Sequence, residues 1–193
     1  MPLKYQVPDD KKVRVIVDSD AACEADDPFA IAHALLCDKF IVKAIFAEHF
    51  NCEGSMKQSF EEIQRVVKAM KKEVPVLMGE IGKLSEKGTG EISEASSFLI
   101  REALREDDKP LYVLCIGAIT NIASAIQACP DIVPHMTVVW IGGQSHEHST
   151  GEVREFNAGN DIEAANLVLG SGVRFWQIPN DVYGSMRISL AEI

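Results

Sequence analysis

Six short apolar runs, most of them rich in β-branched residues, alternate with five stretches of helical periodicity, and this alternation constrains the chain more than any other feature. Residues 12–18, K-V-R-V-I-V-D, end abruptly in an acid, the pattern of a buried strand that delivers its C-terminal end to a site. Further strands are predicted at 41–47, 76–78, 111–116, 136–142 and 173–178, and helices at 27–36, 60–70, 95–104, 119–128 and 162–169. Strands joined through helices run parallel and need cover on both faces, so the predicted class is α/β, a Rossmann-like, mostly parallel sheet flanked by helices. Ligands of such sheets bind outside the carboxyl ends of the strands, which makes the residues after each strand the ones to inspect.

A chain of 193 residues can bury a full core and fits one domain better than two. No internal repeat or linker interrupts it, and residues 84–90 are the expected long surface loop. Acidic residues outnumber basic ones, 29 to 19, for a net charge of -10, which argues against nucleic-acid polymers and anionic bilayers as partners. The five cysteines, Cys23, Cys37, Cys52, Cys115 and Cys129, are scattered without any C-x-x-C pair, so neither a disulfide framework nor a zinc knuckle is expected. The N-terminal residues lack a basic flank followed by an apolar run, and no apolar stretch has the length of a membrane span. The expected location is cytoplasmic.

The first strand runs into Asp18-Ser19-Asp20-Ala21-Ala22-Cys23-Glu24-Ala25-Asp26-Asp27, five carboxylates in ten positions directly before a helix. One or two of these are explained by helix capping and the helix dipole. Five would repel one another and raise their own pKa values unless a cation compensates, and no Lys or Arg lies between Arg14 and Lys39. Ligands that are all oxygen favour calcium or magnesium over zinc.

Other strand ends carry weaker signals. Asn51, after the second strand, can reach the same crevice or simply form a turn. Gly117-Ala118-Ile119-Thr120-Asn121 lets the backbone approach a ligand, or is a tight strand-to-helix turn with Thr120 as its cap. Glu155 and Asn157 project to one side if their segment is extended, a pair suited to sugar hydroxyls; the alternative is a solvated loop anchored by Phe156.

Taken in order, these segments resemble the inosine-uridine preferring nucleoside hydrolases. The family motif D-x-D-P-G-x-D-D-A-x-A-I is similar to Asp18-x-Asp20 followed by Asp26-Asp27-Pro28-Phe29-Ala30-Ile31, with two extra residues in the loop. Against a longer family variant, D-x-D-A-G-N-E-x-D-D, Ala22 stands in place of glycine and Cys23 in place of asparagine. The similarity continues through Phe50-Asn51, Gly117 to Ala123, Trp140-Ile141-Gly142-Gly143, Glu155-Phe156-Asn157 and Asp161 to Ala165.

The resemblance implies that Asp20, Asp27 and the carbonyl of Ile116 ligate Ca2+, with Asp20 also orienting or deprotonating the attacking water. It implies that Asp26, Asn51, Glu155 and Asn157 hold ribose hydroxyls and that Ile141 lies under the sugar. A further family asparagine falls on Ser149. The implied reaction is hydrolysis of the N-glycosidic bond of a ribonucleoside by calcium-activated water, through an oxocarbenium-like sugar stabilised by carboxylates. Dimers or tetramers are implied by analogy, so a homo-oligomer is expected. Family members continue past the position of Ile193, and that stretch holds a late aspartate of the calcium site and a late histidine that protonates the base. Residues 1–193 are therefore expected to form a single domain incomplete at its C-terminal end, with calcium affinity and poor turnover. His146 and His148 lie on the polar loop before Glu155, where they can approach the base or stand as idle exposed histidines.

Two other classes fit parts of the pattern. A haloacid-dehalogenase-like phosphatase also places D-x-D after its first strand, but leaves Asp26-Asp27 and Glu155-Phe156-Asn157 without roles. A nucleoside- or ribose-binding protein that lacks catalysis would keep the whole pocket.

Overall fold

The computed structural model describes residues 6–86, 92–145 and 155–186. Six strands, β1 (Val13–Ser19), β2 (Phe40–Ala47), β3 (Val76–Met78), β4 (Leu111–Cys115), β5 (Met136–Ile141) and β6 (Arg174–Ile178), form one sheet in the order β3-β2-β1-β4-β5-β6. Every pairing is parallel. The chain winds outward from β1 to β3, then returns to lay β4 on the other side of β1. Val17 is thus paired with Ile45 on one side and Leu114 on the other. This reversal opens a crevice beyond the carboxyl ends of β1 and β4, the position at which doubly wound sheets bind ligands.

The helices are α1 (Asp26–Leu36), α2 (Ser55–Ala69), α3 (Glu94–Ala103), α4 (Thr120–Ala128), α5 (Phe156–Asn160), α6 (Ile162–Gly170) and α7 (Asn180–Tyr183). Side chains alternate across each strand, so the sheet feeds two cores. Ile16, Phe46, Val113, Val138 and Trp140 pack with residues of α3, α4 and α6, whereas Val15, Val17 and Ile45 pack with Ile31 and Ala34 of α1 and Met56, Ile63 and Val67 of α2. Arg14, buried at the opposite end of β1, is held by Glu102 at 3.0 Å and Asp107 at 3.8 Å. It is therefore no counter-ion for the acidic loop.

All six predicted strands form, most within a residue of their expected ends, because the apolar runs that define them are what the two cores bury. Helix α2 begins at Ser55 instead of residue 60. Its first turn is polar in sequence, yet Ser55, Met56 and Ser59 are buried, and Gly54 enters it at φ 73°. Helix α5 is not predicted at all. Residues 84–86 of the expected surface loop form a 3-10 turn, and the part from 87 lies outside the described residues. Among the described residues, no helix is long and apolar enough to cross a membrane.

Candidate active site at the sheet switch point

The acidic loop leaves β1 through Ser19 and Asp20 and returns at Asp27 in the first turn of α1. Ser19 Oγ donates to Asp27 Oδ1 at 2.5 Å, which fixes one carboxyl oxygen at the strand end. Asp20 lies against the backbone of Gly117, so closely that a Cβ at 117 would stand 2.9 Å from Asp20 Oδ1. Glycine at 117 is thus a steric requirement for bringing this carboxyl onto the end of β4. The capping explanation of the acidic run fails here, because the N-cap of α1 is Ala25, which makes no side-chain cap bond.

Asp20 and Asp27 are almost fully buried, at 3% and 5% exposure. Burial pushes the pKa of Asp20 up to about 8, and the charge of Asp27 is the next cause. Burial likewise raises Asp27 to about 7, with Asp26 and Glu24 adding to it. Burial and the same acidic neighbours push the Cys23 thiol up to about 12, so it stays protonated in this loop. Asp26 itself is exposed at the rim.

At the neighbouring strand ends, Asn157 spans two carbonyls: its Nδ2 donates to Ile141 O at 2.9 Å and, more weakly, to Ile116 O at 3.4 Å. Ile116, Ile141 and Asn157 are therefore brought together. Trp140 Nε1 donates to Gly117 O at 3.0 Å and ties β5 to the same turn.

The Glu155-Phe156-Asn157 segment is neither extended nor a loop but a helix start. Glu155 is the N-cap of α5, accepting from Asn157 N at 3.0 Å and Ala158 N at 2.8 Å, and also from Gly143 N at 2.6 Å. Its fourth partner is the Tyr183 hydroxyl at 2.9 Å. A carboxylate offers about four lone-pair sites, and these four donors fill them. Phe156 is half exposed. The Tyr183 hydroxyl is pushed upward in pKa by burial and by Glu155, with Glu24 and Asp26 contributing.

Beneath the site lies a polar network in which Asn121, Glu48 and Glu80 carry no role of their own in the sequence expectations. Asn121 Nδ2 donates to Asp18 Oδ1 at 2.8 Å and to Ala47 O at 3.2 Å, its Oδ1 accepts from Glu80 N at 2.7 Å, and its backbone N–H donates to Glu48 Oε2 at 3.0 Å. It thereby joins the ends of β1, β2 and β3 to α4. Asp18 and Glu48 are fully buried together. Burial raises Asp18 to about 7 and Glu48 well above the usual carboxylate range, so the pair retains a proton at neutral pH. Thr120 does not cap α4 as expected; its hydroxyl donates to Asp161 Oδ2 at 2.8 Å. Asn51 is exposed in a left-handed conformation, φ 58°, after β2.

Asp20, Asp27 and the Ile116 carbonyl are all hard oxygen donors. Two buried carboxyls with raised pKa values and, among the described residues, no cationic partner fit a divalent cation. Among the described residues no group of three or more His, Cys, Asp or Glu side chains is placed to hold a metal, so these residues form at most part of a coordination shell. Ser149, His146 and His148 lie outside the described residues.

The fold and the sequence both have counterparts among known proteins. The model of the inosine-uridine preferring nucleoside hydrolases matches residues 15–192, and the chain belongs to that family. It is 36% identical over 91 residues to the non-specific ribonucleoside hydrolase RihC of Escherichia fergusonii, a match that covers 46% of this chain and 30% of the relative. RihC of Shigella sonnei is 36% identical over 84 residues, covering 43% and 28%. Among solved structures, an inosine-guanosine nucleoside hydrolase superposes with a TM-score of 0.75 at 22% identity, covering 92% of this chain and 65% of that one. A plant nucleoside hydrolase, PpNRh1, gives 0.74 at 18% identity, covering 88% and 60%. The matches span about a third of the curated relatives and under two thirds of these structures.

Proposed function

We propose that this chain carries the cation and sugar subsites of a ribonucleoside N-ribohydrolase that cleaves the N-glycosidic bond to ribose and free base. The observation that carries the proposal is the pair Asp20 and Asp27, buried at the switch point without a counter-ion among the described residues. Asp20, Asp27 and the Ile116 carbonyl would hold Ca2+, which when bound supplies positive charge that eases the ionisation of water near neutral pH.

Asp20 acts as the base: a bound cation would offset the burial that otherwise keeps this carboxyl protonated near pH 7, and the ionised carboxylate orients the attacking water and takes its proton. Asp26 and Asn51, both exposed at the rim, hold ribose hydroxyls, and Ile141 forms the apolar floor. Asn157 uses its Nδ2 on backbone carbonyls, which leaves Oδ1 as its acceptor for a hydroxyl. Glu155 takes a sugar hydroxyl only in exchange for that of Tyr183, since its other three donors are backbone N–H groups. The buried carboxylates stabilise positive charge developing on the ribose ring.

The test is release of reducing sugar from inosine, uridine and adenosine with calcium and with chelator. Calcium-dependent release that is lost in Asp20→Asn supports the proposal. A binding-only function is the second possibility, because among the described residues no acid is placed to protonate the departing base. Nucleosides that raise the melting temperature while no sugar appears would establish binding without catalysis.

A further inference from the structure

His49 sits at the end of β2, completely buried, two residues before Asn51. Its Nδ1 accepts the backbone N–H of Asn51 at 3.2 Å, so the ring proton resides on Nε2. That Nε2 is 2.8 Å from Thr120 Oγ1, and the Thr120 hydroxyl donates onward to Asp161 Oδ2. The far end is firmly held, since Asp161 also accepts Leu84 N at 2.7 Å and Ala164 N at 3.0 Å. The chain of bonds therefore runs in one direction, from Asn51 through a neutral imidazole and Thr120 to the start of α6.

Asn51 occupies a backbone region that L-residues other than Asn, Asp and Gly seldom adopt. The turn that holds it there is fastened at two points, Asn51 N to His49 and Phe50 N to Ser55 Oγ at 3.1 Å. A proton on Nδ1 would set two N–H groups against each other and undo the first fastening.

We infer that His49 is a positioning residue whose uncharged imidazole holds the Asn51 peptide in the turn required for the sugar, so that acid protonation of His49 weakens nucleoside binding through Asn51. The inference rests on the proposed role of Asn51 at the ribose. The surroundings agree with a ring that stays neutral near pH 7: burial lowers its pKa as the largest cause. Lys83 acts in the same sense, and Asp161, Glu86 and Glu80 oppose it. Glu48 Oε1 is 3.6 Å from Nε2, but burial and Asp18 keep Glu48 protonated, so this contact is no ion pair.

Two near-isosteric variants separate the ring's two ends. His49→Asn keeps an acceptor near the position of Nδ1, whereas His49→Gln keeps a group near Nε2 and loses that acceptor. Inosine affinity is measured by calorimetry in saturating calcium between about pH 5 and about pH 8. His49→Gln is expected to bind inosine about tenfold more weakly at neutral pH, the loss of one hydrogen bond, and His49→Asn to bind like the wild type. At acid pH the wild type should lose affinity relative to His49→Asn, which has no imidazole to protonate. Equal neutral-pH affinity in both variants, or the same acid loss in His49→Asn as in wild type, would overturn the inference.

The amide of Asn51 gives a readout that needs neither ligand nor variant. In wild type its hydrogen exchange should be slow near neutral pH and lose protection as the His49 ring titrates; protection indifferent to that titration overturns the positioning role. If protection follows His49 while Asn51→Ala binds inosine as wild type does, the positioning of the turn stands and the assignment of Asn51 to the sugar is what fails.

Discussion

The two sides of the crevice are equally buried and electrostatically opposite. On the β1 side, Asp20 and Asp27 are held by little more than one serine, and their pKa values rise to about 8 and about 7. On the β5 side, Glu155, at 3% exposure, has four donors aimed at its two oxygens. Burial alone therefore does not mark a ligand site. An acid that its own chain has already satisfied is architecture, and one left wanting positive charge is ready to receive it.

The largest effect that can break this contrast is on activity. Asp20→Asn is expected to reduce nucleoside hydrolysis on the order of 10² to 10³-fold, the scale of removing a group that stabilises transition-state charge. Without divalent cation the same variant should melt higher than wild type at about pH 8, because a buried charge is gone. An Asp20→Asn protein that is less stable in chelator would show that the β1 side is satisfied after all.

Next in size is the pH dependence of the cation-free protein. Asp18, Asp20 and Asp27 have folded-state pKa values near 7 to 8 against an ordinary 3.8, so the native state binds more protons than the unfolded chain across that interval. Their contribution to stability is complete below about pH 4 and is lost as pH rises through 7 to 8. In chelator, the melting temperature should fall on the order of 10 °C between about pH 5 and about pH 8, and millimolar calcium should restore much of it at the upper end. A flat profile in chelator would mean that the three carboxyls are compensated within the chain.

How much of this contrast could be read from the sequence follows from what each side is made of. The β1 side was legible: an apolar strand running into five carboxylates, with no Lys or Arg between Arg14 and Lys39, announces unmet charge; Asp20 and Ile116 follow the adjacent strands β1 and β4, and Asp27 in α1 is bonded to Ser19. The β5 side was not. Helix α5 is five residues, F-N-A-G-N, too short to show a period and poor in helix formers, and it exists because Glu155 caps it. Tyr183 reaches Glu155 from 28 residues away, a pairing that only the return of the chain along β6 creates. Asn121, Glu48 and His49 were invisible for another reason: a polar residue between apolar neighbours does not reveal which strand end it will stitch to which helix.

Glu155→Ala sharpens the comparison from the other side. Removing the cap and leaving Gly143 N and Ala158 N without acceptors should cost about 2 kcal/mol, a fall in melting temperature of about 5 °C. If nucleoside affinity vanishes while stability is untouched, Glu155 is a ligand group first, and the two sides are alike.

Tyr183→Phe is the smallest change and the most discriminating. It deletes one hydroxyl and leaves Glu155 with three backbone donors, so stability should fall by about 1 kcal/mol, or about 3 °C. The effect on sugar affinity has a sign fixed by exchange: if Glu155 binds a ribose hydroxyl by displacing Tyr183, the variant has nothing to displace and should bind inosine more tightly than wild type. If the tyrosine instead braces Glu155 from outside the sugar's position, the variant should bind more weakly. Calorimetry with inosine, set beside the melting curves, distinguishes the two, and a tighter-binding, less stable protein would mark the β5 side as a sugar site that is capped by its own tyrosine until substrate arrives.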